Sequence, residues 1–264
     1  MRGDPVHGNG TFARRLRLRR LYSHDSAGLF MVPLDHAIGA GPLAYRGTLD
    51  SLLARLADNG VDAVVLHKGA VRRVRPERFR DMSLVLHLNA STALAPDPDA
   101  KYPVATVAEA LRLGAEAVSV HVNLGSVTED RQIAHLAATA EQCERWGVPL
   151  LAMMYLRGPG ITDPRHPAQI AHALAIATEL GADLVKTALP DDPAAIAKIT
   201  AACPVPVLAA GGEADDNSAD RLAAALRAGA GGLAAGRVVF TAADPGAAAR
   251  RLADLLHRTP AVAR

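Results

Sequence analysis

Short apolar runs recur along the chain at a nearly even interval, at residues 29–34, 63–66, 84–88, 117–120, 150–154, 184–185, 205–209 and 233–235. Longer stretches between them place apolar residues at helical spacing, as in Leu49-Asp-Ser-Leu-Leu-Ala-Arg-Leu-Ala and Ile133-Ala-His-Leu-Ala-Ala-Thr-Ala-Glu-Gln-Cys. Strand followed by helix, eight times over with no linker or low-complexity break, predicts an α/β fold, a single-domain (β/α)8 TIM barrel. A doubly wound open sheet is the competing arrangement, and the eightfold count and even spacing argue against it. Residues 1–12 read as a disordered tail and 13–264 as the barrel domain. Residues 14–22 are expected to form a short N-terminal helix capping the barrel's base.

An internal repeat sets the side-chain register. Gly60-Val-Asp-Ala-Val, Gly114-Ala-Glu-Ala-Val, Gly181-Ala-Asp-Leu-Val and Gly229-Ala-Gly-Gly-Leu each read as a helix-ending glycine followed by the next strand. They precede the second, fourth, sixth and eighth strands. Aligned on the glycine, with the period of two that strands impose, one parity holds Val64, Leu66, Val118, Val120 and Val185, the face expected to pack on the helices. The other holds Ala63, Val65 and His67, then Ala117, Ser119 and His121, then Leu184 and Lys186. That second set is expected to face the barrel interior, with Lys186 one layer below His67 and His121. Lys68 falls on the outward parity or in a loop.

Lys186 is unusual for its surroundings. The chain has four lysines, Lys68, Lys101, Lys186 and Lys198, against abundant arginine, and Lys186 interrupts an apolar strand. A buried ammonium is costly unless it is paired or loses its proton, so the position suggests amine chemistry; a strand-end lysine reaching a carboxylate or water is the plainer reading. Other polar residues gather where the strands end, at the face of a barrel that carries chemistry. They are Asp35-His36, His67-Lys68, His87-Leu-Asn, His121-Val-Asn, Tyr155 and Arg157. Each alone is compatible with a satisfied structural group; their concentration at one end of separate strands is not easily structural.

The seventh and eighth strands leave through glycine, in Ala209-Ala-Gly-Gly and Ala234-Ala-Gly-Arg. Glycine lets backbone N–H groups approach an anion, a helix N-terminus favours it, and Arg237 adds a fixed charge. Paired glycine turns in this place are the usual phosphate site of a barrel.

Composition narrows the field. A chain of 264 residues, half of them apolar, with 29 Lys and Arg against 27 Asp and Glu, offers no charge excess for nucleic acid or a membrane surface. No apolar run approaches the roughly 20 residues of a membrane span. The basic stretch Arg14-Arg-Leu-Arg-Leu-Arg-Arg lacks the apolar segment of a secretory signal, and Cys143 and Cys203 match no metal-ligand spacing. A cytoplasmic protein with two free thiols is the expectation; a phosphate or partner site on the basic stretch is a lesser one.

The strand-end motifs together resemble the class I, Schiff-base aldolases of the DeoC/FbaB type, most of all the archaeal-type 2-amino-3,7-dideoxy-D-threo-hept-6-ulosonate synthases. They are Val32-Pro-Leu-Asp-His, Leu66-His-Lys-Gly, His87-Leu-Asn-Ala-Ser-Thr, Val118-Ser-Val-His-Val-Asn-Leu-Gly, Leu151-Ala-Met-Met-Tyr-Leu-Arg-Gly, Val185-Lys-Thr, Ala210-Gly-Gly and Gly236-Arg, over residues 18–257. The resemblance implies Lys186 as the Schiff-base lysine, Tyr155 as proton donor and Asp35 as proton acceptor. It implies substrate contacts at His36, Ala37, Ile38, Gly39, His121, Leu156 and Arg157, and a substrate phosphate at Gly211, Gly212, Gly236 and Arg237. No metal and no cofactor are implied, since a protonated imine serves as the electron sink. A homo-oligomer, a decamer of paired pentamers, is a further implication. No roles for Lys68, His67 or His87 follow.

The implied partners are small molecules, a phosphorylated ketose donor and an aldehyde acceptor, L-aspartate 4-semialdehyde, giving a seven-carbon amino-keto acid. One branch takes a ketohexose phosphate, 6-deoxy-5-ketofructose 1-phosphate, on the way to dehydroquinate. The other takes dihydroxyacetone phosphate on the way to 3-amino-4-hydroxybenzoate. The Ala- and Arg-rich composition suggests a GC-rich genome and tilts the expectation to the second branch, with fructose-bisphosphate aldolase activity behind both. This chain departs from the family pattern at Ala37, at Leu156 and after the lysine, in Thr187-Ala-Leu-Pro, which bears on substrate rather than reaction type. Two other classes stand beside the aldolase: a metal-dependent barrel enzyme using His36, His67, His87 and His121, and a non-catalytic sugar-phosphate sensor.

Overall fold

The structure, a computed structural model, describes residues 10–24, 28–215 and 217–257. Eight parallel strands close into a barrel in chain order: β1 (Leu29–Pro33), β2 (Ala63–Leu66), β3 (Ser83–His87), β4 (Ala117–Leu124), β5 (Leu150–Leu156), β6 (Leu184–Thr187), β7 (Val207–Ala210) and β8 (Gly232–Ala234), which pairs back onto β1. The expected (β/α)8 barrel is the fold observed. β2 departs from the regular unit: the Lys68–Val71 turn and the 3-10 turn Pro76–Phe79 replace a full helix after it. A two-residue antiparallel pair, Asn89–Ala90 with Tyr102–Pro103, is inserted after β3.

The parity read from the glycine repeat holds. Val64, Leu66, Val118, Val120 and Val185 belong to the apolar layer between barrel and helices. Leu29, Met31, Ala63, Val65, Val85, Ala117, Leu151, Met153, Leu184, Leu208 and Ala234 fill the interior. Following the strand register around the ring stacks these residues in layers of four, each drawn from alternate strands. Met31, Val85, Leu151 and Leu208 make a bulky floor. Lys186 lies in the layer above, with Val65, Ser119 and Ala234, whose small side chains leave room around its stem. His67 and His121 come next on the same set of strands, with Pro33, His87, Met153 and Ala210 interleaved.

The repeat also explains how the base is closed. Gly60, Gly114, Gly181 and Gly229 all adopt positive φ, as helix-ending glycines do. In two of the four copies the acid two residues later satisfies a strand-start donor: Asp62 accepts the Phe30 N–H at 2.7 Å, and Asp183 accepts the Leu150 N–H at 2.8 Å. The helix Phe12–Leu21, capped by Thr11, seals the bottom, sending Leu18 and Leu21, with Tyr22 behind them, into the interior core. The helix begins two residues before the expected start; of the tail expected at 1–12, residues 1–9 lie outside the described residues. Its arginines pair with acids of the barrel, Arg14 with Glu144 and Asp183, and Arg17 and Arg20 with Glu116. These pairings engage three of the five arginines of the basic stretch. Cys143 is buried in the outer core, where burial pushes its thiol up to about 12, and both cysteines are free. Among the described residues no helix is long and apolar enough to cross a membrane.

Asp62 is fully buried and also accepts from Ser23 and His24. Removing it leaves the Phe30 donor unsatisfied in a dry environment. Asp62→Ala should therefore cost about 2–4 kcal/mol in urea unfolding; a loss below about 0.5 kcal/mol, the range of an ordinary surface substitution, would show that the carboxylate does not hold the barrel base together.

Candidate active site

The upper interior of the barrel brings together three residues that the sequence reading separated by up to 151 positions, Asp35, Tyr155 and Lys186. Lys186 is 7% exposed. Its Nζ lies 3.9 Å from the Met153 sulfur and 5.9 Å from the centre of the Tyr155 ring. The phenol ring is held in place from three sides: Lys186 below, the His121 ring at 4.8 Å between centroids, and the Arg157 guanidinium at 5.2 Å. Asp35 follows β1 and sits 3.7 Å from His87 Nε2 and 3.8 Å from His36 Nδ1. The His67 ring stands edge-on to that of His87, centroids 5.2 Å apart.

Local sequence dictates these positions. Asn89 works as a backbone surrogate, donating to the His121 carbonyl at 2.8 Å and accepting the His121 N–H at 2.9 Å, and so extends the sheet beyond β3. Asn123 accepts from His121 Nε2 and donates to the Asp99 carbonyl, fastening the ring and the inserted loop together. Gly158 has to be glycine: a Cβ there would fall 1.7 Å from the Gly125 carbonyl oxygen, so the turn after Tyr155-Leu-Arg packs directly on the end of β4.

Burial dominates the electrostatics. It lowers the affinity of His36, His67, His87 and His121 for a proton; His87 falls to about 3 and His121 well below its ordinary value. These four rings are neutral at neutral pH. Asp35 experiences the same burial, which alone would raise its pKa. Electrostatic coupling to His87, His36, Lys186 and His67 outweighs it and holds the carboxyl below the usual carboxylate range. The site therefore offers an ionised carboxylate, a buried lysine and a phenol within one cup. Asp35 Oδ1, His36 Nδ1 and His67 Nδ1 are buried with no hydrogen-bond partner among the described residues, the pattern of a surface shaped for a polar ligand.

On the opposite rim, the ends of β7 and β8 converge. Arg237 Nε donates to the Gly212 carbonyl at 3.2 Å, and its Nη1 is paired with Glu213, so the arginine ties the two glycine turns to each other. Gly236 leads straight into the short helix Arg237–Phe240, where a Cβ would fall 2.5 Å from the Pro33 carbonyl oxygen and 2.9 Å from the His36 ring. Gly211-Gly212 differs from expectation: the helix after β7 starts only at Ser218, so this turn offers backbone and not a helix end.

The remaining expected contacts divide. Ala37, Ile38 and Gly39 lie on the short helix His36–Ala40 at the rim. The Leu156 side chain packs in the outer apolar layer, not in the cup. Lys68 is exposed and paired with Glu109 at 3.2 Å, outside the cup. The mouth histidines do not gather as metal ligands. Among the described residues such a group occurs only at the barrel base, in His24, Asp62 and His257. Lys101 was not singled out in the sequence as a site residue, because it lies in the Pro- and Asp-rich loop outside the strand pattern. In the structure it reaches the mouth beside Ser91 and Arg157.

Comparison with known proteins agrees with this arrangement. Residues 29–242 match the family model described as DeoC/LacD family aldolase. The chain is 58% identical over 254 residues to the 2-amino-4,5-dihydroxy-6-oxo-7-(phosphonooxy)heptanoate synthase of Streptomyces griseus, covering 95% of this chain and 93% of that protein. It is 39% identical to the 2-amino-3,7-dideoxy-D-threo-hept-6-ulosonate synthase of Halobacterium salinarum, covering 91% and 90%. Among solved structures, a Schiff-base-forming fructose-1,6-bisphosphate aldolase superposes with a TM-score of 0.82 at 30% identity, over 92% of this chain and 99% of that one.

A neutral buried His87 makes the fold acid-sensitive. An unfolded histidine takes a proton near 6.5 while folded His87 resists until about 3. Between those values the unfolded chain binds more protons, so stability falls as pH drops through the window. His87→Gln should flatten the dependence of the urea midpoint on pH between 6.5 and 4; parallel slopes for the two proteins would contradict the assignment.

Proposed function

Because the chain belongs to the DeoC/LacD family of aldolases and is a class I, Schiff-base enzyme, we propose that it adds dihydroxyacetone phosphate to L-aspartate 4-semialdehyde. The product is 2-amino-4,5-dihydroxy-6-oxo-7-(phosphonooxy)heptanoate. The observation that carries this choice of substrates is the 58% identity, over nearly both whole chains, to the Streptomyces griseus synthase of that compound.

Each step falls to a group in the cup. Lys186 attacks the donor ketone, and loss of water gives an iminium that withdraws electrons from the neighbouring carbon. Asp35, ionised and within electrostatic reach of the amine, takes and returns the protons of carbinolamine formation and dehydration. Asp35 takes the proton of the neighbouring carbon to give an enamine, which attacks the aldehyde carbon of the acceptor. Tyr155 supplies the proton to the new alkoxide, and water releases the product from Lys186. The phosphate sits at Gly211, Gly212, Gly236 and Arg237, with Arg237 exchanging Glu213 for the anion. His36 and the 37–39 backbone line the donor side, with His121, Leu156 and Arg157 beside Tyr155. The register puts Ala188 on the inward parity above Lys186, and its small side chain leaves space over the imine.

A second donor, 6-deoxy-5-ketofructose 1-phosphate, is supported by the 39% identity to the Halobacterium salinarum enzyme. The homo-oligomer expected from the resemblance also stands as a proposal.

The test pairs each donor with L-aspartate 4-semialdehyde and follows the seven-carbon product by mass spectrometry. Product is expected from dihydroxyacetone phosphate, abolished in Lys186→Ala and slowed about 10²–10⁴-fold in kcat by Tyr155→Phe. Turnover of the ketohexose phosphate alone would move the assignment to the second donor.

A further inference from the structure

Lys101 has no counterpart among the residues assigned above, and its surroundings are unusual for a lysine. It lies partly buried at the end of the inserted loop, with Nζ donating to Ser91 Oγ at 2.5 Å, and Ser91 Oγ in turn donates to the Pro98 carbonyl at 2.8 Å. The loop is pinned to β4 by Asn123 and to the following helix, Glu129–Trp146, by Gln132, both donating to the Asp99 carbonyl, and to the rim helix by the Ala93 N–H on the Gly39 carbonyl. Lys101 is thus fixed over the ends of β3 and β4. In an eight-stranded ring those strands stand across the mouth from β7 and β8, where Arg237 and the glycine turns lie.

Two cations meet there with no direct ion pair, the carboxylates of Asp99, Asp35 and Asp97 acting on Lys101 from farther away. Lys101 and Arg157 are close enough to repel, and repulsion adds to burial in lowering the lysine's proton affinity. Among the described residues neither forms an ion pair within 4.0 Å, whereas Arg237 on the other rim already has Glu213. Paired like charges without a partner at a site that binds an anionic substrate are relieved when the substrate brings the missing negative charge.

Substrate geometry supplies that charge. With the donor phosphate at the β7–β8 rim and the imine on Lys186, the new carbon–carbon bond forms over the barrel axis and the acceptor extends toward β3–β5. We propose that Lys101, flanked by Arg157, receives the carboxylate of the aldehyde acceptor, so the inserted loop selects an acceptor with an anionic end. This rests on the reading of the enzyme as an aldolase that uses L-aspartate 4-semialdehyde.

Lys101 is a specificity residue on this account, and its test separates recognition from chemistry. Condensation with dihydroxyacetone phosphate is measured for L-aspartate 4-semialdehyde, succinate semialdehyde, which keeps the carboxylate and lacks the amine, and propanal, which lacks both. Lys101→Met should raise KM for the two carboxylated aldehydes tenfold or more, and for propanal by less than twofold, with Lys101→Arg recovering most of the loss. Thermal melting of both variants checks that the fold is retained. An equal change for all three aldehydes, or no change in KM, overturns the proposal while leaving the aldolase assignment intact. A larger effect with D-glyceraldehyde 3-phosphate than with the semialdehydes overturns it in favour of a phosphate subsite. Failure of the unaltered enzyme to condense any of them overturns the aldolase reading itself, and the proposal with it.

Discussion

Everything at the site depends on the two-residue alternation of a closed parallel barrel. Lys186 points inward because its strand is locked in register between β5 and β7, with Met153 and Leu208 as its paired neighbours. A slip of one residue would send the ammonium into the apolar layer against the helices and bring Val185 inside. The cost of burying a charge there fixes the register as firmly as the packing does. The glycine repeat and its acids set the strand starts, and through them the height at which each strand presents its last residues.

Given that register, the polar cup is a product of crowding. Four histidines, an aspartate and a lysine are forced into a space sealed below by Met31, Val85, Leu151 and Leu208. Burial keeps the rings uncharged, so the ionised Asp35 and the amine of Lys186 are the groups around which proton transfers are arranged. Charge is then segregated along the rim. Arg237 is paired with Glu213 on one side, while Lys101 and Arg157, neither in a direct ion pair among the described residues, lie on the other. A substrate carrying an anion at each end matches that division.

Much of this was legible in the chain. Lys186, His67 and His121 could be turned inward from period and glycine alignment alone, because a strand's parity is local information. The glycine turns announced themselves by position. What could not be read was anything set by loops. Asn89 and Asn123 looked like ordinary strand-end residues, yet they bind the backbone of His121 and the carbonyl of Asp99, contacts that depend on the insertion folding back. Lys101 is invisible for the same reason, as one charged residue in a stretch of Pro, Asp and Ala. The Arg237–Glu213 pair and the late start of the helix at Ser218 are set by the loop leaving β7, for which periodicity carries no signal.

The account stands on Lys186 being the amine that joins the donor. Lys101 provides a demanding control, since it is a second amine at the same mouth, with its proton affinity lowered by burial. The direct measurement is reduction with borohydride in the presence of dihydroxyacetone phosphate, followed by peptide mapping of the modified protein. One adduct per chain, on the peptide containing Lys186, is the predicted result. An adduct on Lys101, or no adduct while turnover proceeds, would contradict it.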